Sequence, residues 1–516
     1  MRELASEEHV FHGRGGELHV APEGLALTGR VAARLAGEGA RQQVVMTASW
    51  DEVSHVEVTD DGRRRRLVLN FREGRPAWSI PGLPAHELEW AQALLEEGIE
   101  ERLRRFEPDF QRRLAPREVQ RAATELLSRP DGRIAPLVDL MLAQAVHHEA
   151  SDVHLEPLRS EFKVRYRLNG VLVDVLALPT YVQGRILARL KVLAELAIYR
   201  RDRPQEGRCV TQVAGRSVDL RVTILPTLHG EKATVRIFDP RRATMPLHAL
   251  GFTQQQEADF RELISRPQGT ILVTGPSASG KTTTMYSALM HLHETQRGYK
   301  GIATVEDPVE FDLGAINQTQ VDKAAGLTFA AGLRTVLRQD PEVIMIGEIR
   351  DRETAEIAIQ AGLTGHLVLS TVHARSAAGV FTRLMEMEIE PYLLASSVMA
   401  TLSQRLVRVN CESCSAPAQP DPALVAPLGR LEGVYRAGQG CEACYGTGYA
   451  GRTAIFELLK MDEGFRDALL RKPSASELEA LARERSAQGL LDVGLQLASK
   501  GRTTLEELAR VLGPPA

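Results

Sequence analysis

Gly275-Pro276-Ser277-Ala278-Ser279-Gly280-Lys281-Thr282 follows an apolar run, Thr270 to Thr274, and leads into helix-compatible sequence from Thr283. The pattern is G-x-x-x-x-G-K-[ST], and each fixed position has a chemical reason. Glycines let backbone N–H groups close around phosphate, a lysine reaches the β- and γ-phosphates, and a threonine hydroxyl offers itself to Mg²⁺. Residues Gly275 to Thr283 are therefore expected to bind ATP, with Lys281 on the phosphates and Thr282 on the metal.

A phosphate loop alone does not say whether the nucleotide is hydrolysed, so the residues downstream decide. Ile302 to Glu306 and Val343 to Glu348 are apolar strands that end in carboxylates, and open α/β sheets place ligands at the carboxyl ends of their strands. There Glu306 and Glu348 can hold Mg²⁺ or polarise the attacking water. A third such segment, Thr364 to His373, carries His366 and His373 at its two ends. One histidine on an apolar strand is more often a packed core residue, whereas two flanking the same strand favour function.

Four of the five cysteines, Cys411, Cys414, Cys441 and Cys444, form C-x2-C-x26-C-x2-C. At that spacing two short knuckles supply four thiolates to tetrahedral Zn²⁺, and four thiolates close the shell, so the expected zinc is structural. Paired knuckles with only Cys209 apart suit a reducing compartment better than a disulfide framework.

The scaffold that must position these groups is α/β. A chain of 516 residues exceeds one core. Residues 1–105 read as a β-rich unit: Trp50 to Val58 alternates, Asp60-Asp61-Gly62 is turn chemistry, and Leu67 to Phe71 returns. A helix over 84–105 would close it, with Leu88, Ala91, Leu94, Leu95, Ile99 and Leu103 on one face. Strand meander plus closing helix resembles a small pleckstrin-homology-like barrel, a docking domain, and Arg63 to Arg66 beside the turn read as solubilising. Residues 106–131 read as a linker with a short helix, 132–240 as a second domain, 241–461 as the nucleotide-binding domain with its zinc knuckle at 409–452, and 462–516 as C-terminal helices with capping boxes at Ser474–Glu477 and Thr503–Glu506. A net charge of −4 with 25% charged residues suggests neither a nucleic-acid nor a polybasic membrane protein. No apolar run nears a membrane span and the acidic start is no secretory signal, so the expectation is a cytoplasmic chain attached to a membrane through a partner.

Together these segments resemble the traffic ATPases of type II secretion and type IV pilus assembly. Glu306-Asp307-Pro308-Val309-Glu310 resembles that family's aspartate box, Arg338 to Asp351 its Walker B region, and Thr364 to His373 its histidine box. The resemblance runs from about Pro136 to Val511 and implies a RecA-like ATPase domain preceded by a PAS-like α/β domain, to which Ala150 to Pro157 and Val164 to Gly170 would belong. It further implies a homo-hexameric ring at the inner membrane, docked on a secretion or pilus platform protein, with ATP sites between domains and subunits and no nucleic acid. Arg221 and Arg236 match family arginines that reach the phosphates, which would make them charge-stabilising fingers; Arg208 is a weaker candidate of the same kind. The tetracysteine element favours an extension motor over a retraction motor.

Two departures stand out. The family usually has Thr-Gly-Ser inside the loop and Leu-His-Thr-Asn after the histidine strand, where this chain has Ser277-Ala278-Ser279 and Val372-His373-Ala374-Arg375. Arg375 puts a cation where a neutral amide is usual. A nucleotide-gated binding module without hydrolysis and a DNA-translocating motor are the competing function classes; both carboxylates speak against the first, and no basic channel segment is evident for the second.

Overall fold

The computed structural model describes residues 9–13, 16–21, 24–29, 45–48, 53–60, 65–71, 77–81, 83–84, 87–88, 91–92, 95, 112–128, 134–213, 216–238, 244–428, 433–485 and 488–513. The chain divides into two compact units, 1–110 and 111–516.

In the first unit β1 (His9–Gly13), β2 (Gly16–Ala21), β3 (Gly24–Gly29) and β4 (Val45–Ala48) form one antiparallel meander. β5 (Val53–Asp60), β6 (Arg65–Phe71) and β7 (Trp78–Pro81) form a second, with Val58 opposite Leu67. Alternation drives both, because Phe11, Leu18, Leu25, Leu27, Val56, Leu67, Leu69 and Trp78 enter one shared core. The helical residues Leu88, Ala91 and Leu95 enter it too. Leu94, Ile99, Leu103, Trp50, the Asp61-Gly62 turn, Arg63 and Arg64 lie outside the described residues, and Arg66 is exposed.

The second unit opens inside the expected linker with a helix, Pro116–Ser128, that buries Val119, Ala122, Ala123 and Leu126. Its apolar stripe needs a partner and finds the helix Ile134–His147, which is buried nearly all round. A six-stranded antiparallel sheet follows: β8 (Asp152–Pro157), β9 (Phe162–Leu168), β10 (Val171–Leu178), β11 (Gln205–Val213), β12 (Arg216–Thr227) and β13 (Gly230–Phe238), in the order β10-β9-β8-β13-β12-β11. Val153, Leu155, Val164, Tyr166, Val222 and Val235 are buried, and the residues alternating with them are largely charged.

The nucleotide-binding part is a seven-stranded sheet of β14 (Gly269–Thr274), β15 (Ile302–Glu306), β16 (Asn317–Gln320), β17 (Val343–Ile349), β18 (Leu367–Val372), β19 (Val398–Asn410) and β22 (Tyr449–Lys460), in the order β16-β15-β17-β18-β14-β19-β22. Only β22 runs antiparallel. Continuous apolar strands are what a parallel sheet covered on both faces requires. Ile344 and Ile346 enter one core while Val343 and Met345 enter the other, and Val368 and Leu369 divide the same way. Between β19 and β22 the hairpin of β20 (Ser415–Pro417) and β21 (Arg436–Gly438) carries the cysteine pairs.

Of the two capping boxes, Ser474 forms as expected: it accepts from Glu477 N at 3.3 Å and its own N donates to Glu477 Oε2 at 2.7 Å. The second does not form as a box: the N-cap lies one residue on, and the Glu507 carboxylate is held by Arg408 and Arg510 instead of by Thr504 N. Thr504, not Thr503, accepts from Glu507 N at 3.1 Å, because the Thr503 hydroxyl donates to Arg408 O at 2.8 Å.

Candidate active site

β14 sits between β18 and β19, and the loop after it leads into the helix Lys281–Thr295. The loop turns through left-handed backbone at Ala278 (φ 60°) and Gly280 (φ 89°), the latter being the helix N-cap. Lys281 Nζ donates to Gly275 O at 2.9 Å and Pro276 O at 3.0 Å, so the cation lies folded over its own loop. Burial pulls its ammonium below the ordinary lysine value, against the opposing pull of Glu348. A phosphate would replace neutral carbonyls with a charged acceptor, which fits a lysine in that setting.

At the carboxyl ends of β14, β15, β17 and β18 a cavity of about 160 Å³ is lined by Lys281, Thr282, Glu306, Asp307, Glu348 and His373, among others. Glu306 is buried and fully engaged: Tyr286 donates to Oε2 at 2.5 Å, and Thr304 and Gln318 donate to Oε1 at 2.5 and 3.0 Å. Burial, with the adjacent carboxylate, pushes the Tyr286 hydroxyl well above the ordinary tyrosine value, so it stays a donor. Glu348 pairs with Arg350 and lies 3.6 Å from His373 Nε2. The Thr282 hydroxyl, Glu306 and Glu348 are oxygen donors of the hard kind that Mg²⁺ takes.

His366 is elsewhere. It precedes β18, roughly 20 Å of strand from His373, with Nδ1 near Ala361 O at 3.2 Å. Arg375 is exposed, and its carbonyl accepts from Arg405 Nη2 at 3.0 Å.

On the other side of the loop a second cavity of about 470 Å³ is lined by Gly280, Thr283, Gln404 and Leu406 together with His147, Glu149 and Asn169 from the region of the six-stranded sheet and Arg452 to Ala454 from β22. Thr283 thus faces a different space from Thr282. Gln404 Nε2 caps Ser279 O at 2.6 Å, which steadies the loop from β19.

Arg208, Arg221 and Arg236 stand directly opposite one another across β11, β12 and β13, and the row continues to Asp152 and Arg167. Arg236 Nε donates to Asp152 Oδ1 at 3.0 Å while its side chain stays 63% exposed; Arg221 lies over the Phe238 ring at 4.6 Å, and Arg208 forks onto Asp219 at 2.9 Å. None of the three lines either cavity.

The four cysteine sulfurs lie within 4.8 Å of one another. Cys411 to Cys441 and Cys414 to Cys444 are 3.9 Å, and Cys441 to Cys444 is 3.7 Å. Zn–S bonds of ~2.3 Å put tetrahedral sulfurs ~3.8 Å apart, so the donor set fits zinc. Backbone N–H groups of Cys441 and Gly448 donate to Cys444 Sγ at 3.2 Å and, against burial, hold that thiol down to about 7. Gly438 and Gly448 must be glycine, since a Cβ on the first would sit 1.9 Å from the carbonyl oxygen of the second.

Sequence reasoning missed Tyr286, Thr304, Gln318, Gln404 and, apart from Gly280 and Thr283, the lining of the second cavity. Thr304 was readable, because residues i and i+2 share a strand face. Gln318 reaches Glu306 only through the β15 and β16 pairing, for which no local signal exists.

The model of the family described as "Type II/IV secretion system protein" matches residues 128–510. The type II secretion system ATPase E of Vibrio cholerae is 43% identical over 390 residues, covering 75% of this chain and 76% of that one. The type IV pilus assembly ATPase PilB of Myxococcus xanthus is also 43% identical, over 392 residues, covering 74% and 69%. Among solved structures, the Legionella pneumophila ATPase DotB aligns with a TM-score of 0.55 at 21% identity over 72% of this chain and 93% of that one, a likeness of fold.

Proposed function

The chain belongs to the type II/IV secretion system protein family, as an ATP hydrolase of the secretion and pilus-assembly kind, and we propose that it works as a hexameric ring that turns hydrolysis into domain rotation to extend a pseudopilus or pilus. The observation that carries this is the gathering of Lys281, Thr282, Glu306, Glu348 and His373 around one cavity. Lys281 and the loop N–H groups hold the β- and γ-phosphates; Thr282 with Glu348 holds Mg²⁺, which would neutralise charge on the phosphoryl oxygens. Glu348, paired with the exposed Arg350 and lying beside His373, is the carboxylate placed to orient the attacking water, whereas three hydrogen bonds hold Glu306 fixed as part of the cavity wall. His373 lies beside Glu348 and registers its charge. The larger cavity, spanning the two domains, takes the nucleoside.

Arg221 and Arg236 serve as fingers from the six-stranded, PAS-like sheet. Their separation from both cavities in one chain supports action on a neighbour's nucleotide, as does the exposure of Arg236. His366, at the far end of β18, fits a role in relaying domain position better than contact with phosphate. Zinc is the proposed ion of the tetracysteine site. No helix among the described residues is long and apolar enough to cross a membrane. The N-terminal unit, with four strands, three strands and helical residues around one core, supports a pleckstrin-homology-like docking domain for the platform protein.

Mixed rings test the proposal. Lys281→Ala and Arg236→Ala proteins, each inactive alone, should regain part of the hydrolysis when combined in one ring, since some sites then hold an intact loop and an intact finger. No rescue in rings shown to be mixed would refute action between subunits.

A further inference from the structure

Three side chains tie the tetracysteine knuckle to the segment that walls the larger cavity. Arg113 Nη2 donates to Ala443 O, inside the second cysteine pair, at 3.0 Å, and its Nε donates to His148 Nδ1 at 2.9 Å. With Nδ1 accepting, His148 Nε2 donates to Leu114 O at 2.8 Å, so both ring nitrogens are committed. The Tyr445 ring stands edge-on to His148, with centroids 4.8 Å apart at 83°. Gln144, fully buried, closes the block by accepting from Leu114 N at 2.8 Å and donating to Arg112 O at 3.0 Å. Residues 112–114, the end of the helix Ile134–His147 and the turn Ala443-Cys444-Tyr445 are thereby one hydrogen-bonded unit.

The position of that unit matters. His147 and Glu149, on either side of His148, line the larger cavity opposite Gly280 and Thr283, and Gly451 to Ala454, running out of the knuckle, line it as well. The turn that presents Ala443 O and the Tyr445 ring has left-handed backbone at Tyr445 (φ 53°) and is closed by N–H groups directed at Cys444 Sγ. Without metal four thiols replace four bridged thiolates, and that closure weakens. We propose that the metal-loaded knuckle, through Arg113, His148 and Tyr445, holds the cavity wall against the phosphate loop, so that metal occupancy sets nucleotide affinity although the metal touches no nucleotide. These are positioning residues. The proposal rests on the assignment of the larger cavity to ATP.

The test uses the full chain, N-methylanthraniloyl-ATP as fluorescent probe and zinc content as an independent readout. Stripping zinc with a chelator should raise the probe's Kd by about fivefold or more, and reloading should restore it. Arg113→Ala should keep one zinc per chain yet show a similar loss, with KM for ATP rising more than kcat falls. In Arg113→Ala, stripping zinc should then add little, because the connection is already cut. Tyr445→Ala should repeat the loss and Tyr445→Phe should not, which keeps the proposal testable if Arg113→Ala folds poorly. Unchanged affinity in both Arg113→Ala and Tyr445→Ala, or the same added cost of zinc removal in wild type and Arg113→Ala, overturns it. If Ala249→Trp, which would fill the larger cavity from an exposed position on its lining, leaves probe binding intact, the assignment of that cavity to ATP fails; if Ala249→Trp weakens binding while the Arg113 and Tyr445 variants do not affect it, only the link from the knuckle fails.

Discussion

In the knuckle, sulfurs of one chemical kind face each other at 3.7 to 3.9 Å; in the phosphate groove a lysine, four carboxylates, two threonines and a histidine line a space of about 160 Å³. The knuckle's donors point inward to a single position and leave no room for substrate. The groove's groups make temporary arrangements instead: Lys281 leans on its own loop, and Glu348 on Arg350. A convergent set of identical ligands is complete with one ion and serves structure. Groups of opposite sign held apart around a space are complete only with a reacting molecule, and they serve chemistry.

The sharpest way to break that contrast is in the groove. Lys281→Ala should abolish measurable nucleotide binding, whereas Glu348→Gln, which keeps shape and removes charge, should bind normally and lose at least ~100-fold in kcat. Phosphate release paired with nucleotide titration separates the two. Full turnover by Glu348→Gln would remove its assignment as the water-orienting group and move attention to Glu306.

In the knuckle, Cys411→Ser with Cys414→Ser should lower bound zinc from one ion per chain to none and destabilise the protein while leaving Lys281 and Glu348 in place. Elemental analysis and thermal unfolding measure both. Iron–sulfur absorbance, or no metal in protein purified without chelator, would show that the site is not the zinc site its spacing implies.

Legibility divides along the same line. Both sites were readable because each is encoded locally: G-x-x-x-x-G-K-[ST] is a single loop, and the cysteine pairs lie in one 34-residue stretch, 411–444. Glu306 and Glu348 were readable as strand ends, and the alternation of the first 105 residues foretold strands around one core. What escaped depends on pairing between distant segments. Gln318 caps Glu306 only because β16 pairs with β15, and Arg113 meets Ala443 across 330 residues. The two histidines of one segment looked equivalent in sequence, yet a strand places its ends on opposite edges of the sheet, so His373 reaches the groove and His366 does not.

Acid should weaken the block beside the knuckle by a route that depends on His148. Burial, the Arg113 guanidinium and neighbouring His147 hold its pKa down at about 4, against the 6.5 of an unperturbed ring, with the Leu114 carbonyl opposing and neutral Tyr445 adding no charge. The native state therefore prefers the neutral ring, and between these values the unfolded state binds more protons. The stabilisation is present in full above pH 6.5 and is lost as pH falls toward 4, by at most about 3 kcal/mol. Urea unfolding of wild type and His148→Asn at several pH values checks this: the variant should start less stable and show a shallower decline over that window. Parallel declines would mean that other groups, the thiolates among them, carry the acid sensitivity.

The smallest effect expected lies in the groove, at the one loop position where this chain departs from a glycine. Ala278 holds φ at 60°, a left-handed conformation in which its Cβ crowds the following carbonyl at a cost of roughly 1 kcal/mol, and its side chain is exposed, so no packing offsets that cost. Ala278→Gly removes the strain but adds backbone freedom to the unfolded chain, worth about 0.4 to 1 kcal/mol in the other direction. Global stability should therefore move little in either sense. The effect should appear instead in ATP affinity, because a glycine can move to wherever phosphate oxygens best meet the loop N–H groups, whereas alanine restricts that adjustment. A two- to fivefold tightening, with a Tm within a few degrees of wild type, is the expected result of nucleotide titration and thermal unfolding. Weaker binding by Ala278→Gly would instead mean that the alanine rigidifies the loop in its binding geometry, making preorganisation rather than adjustment the property that this departure serves.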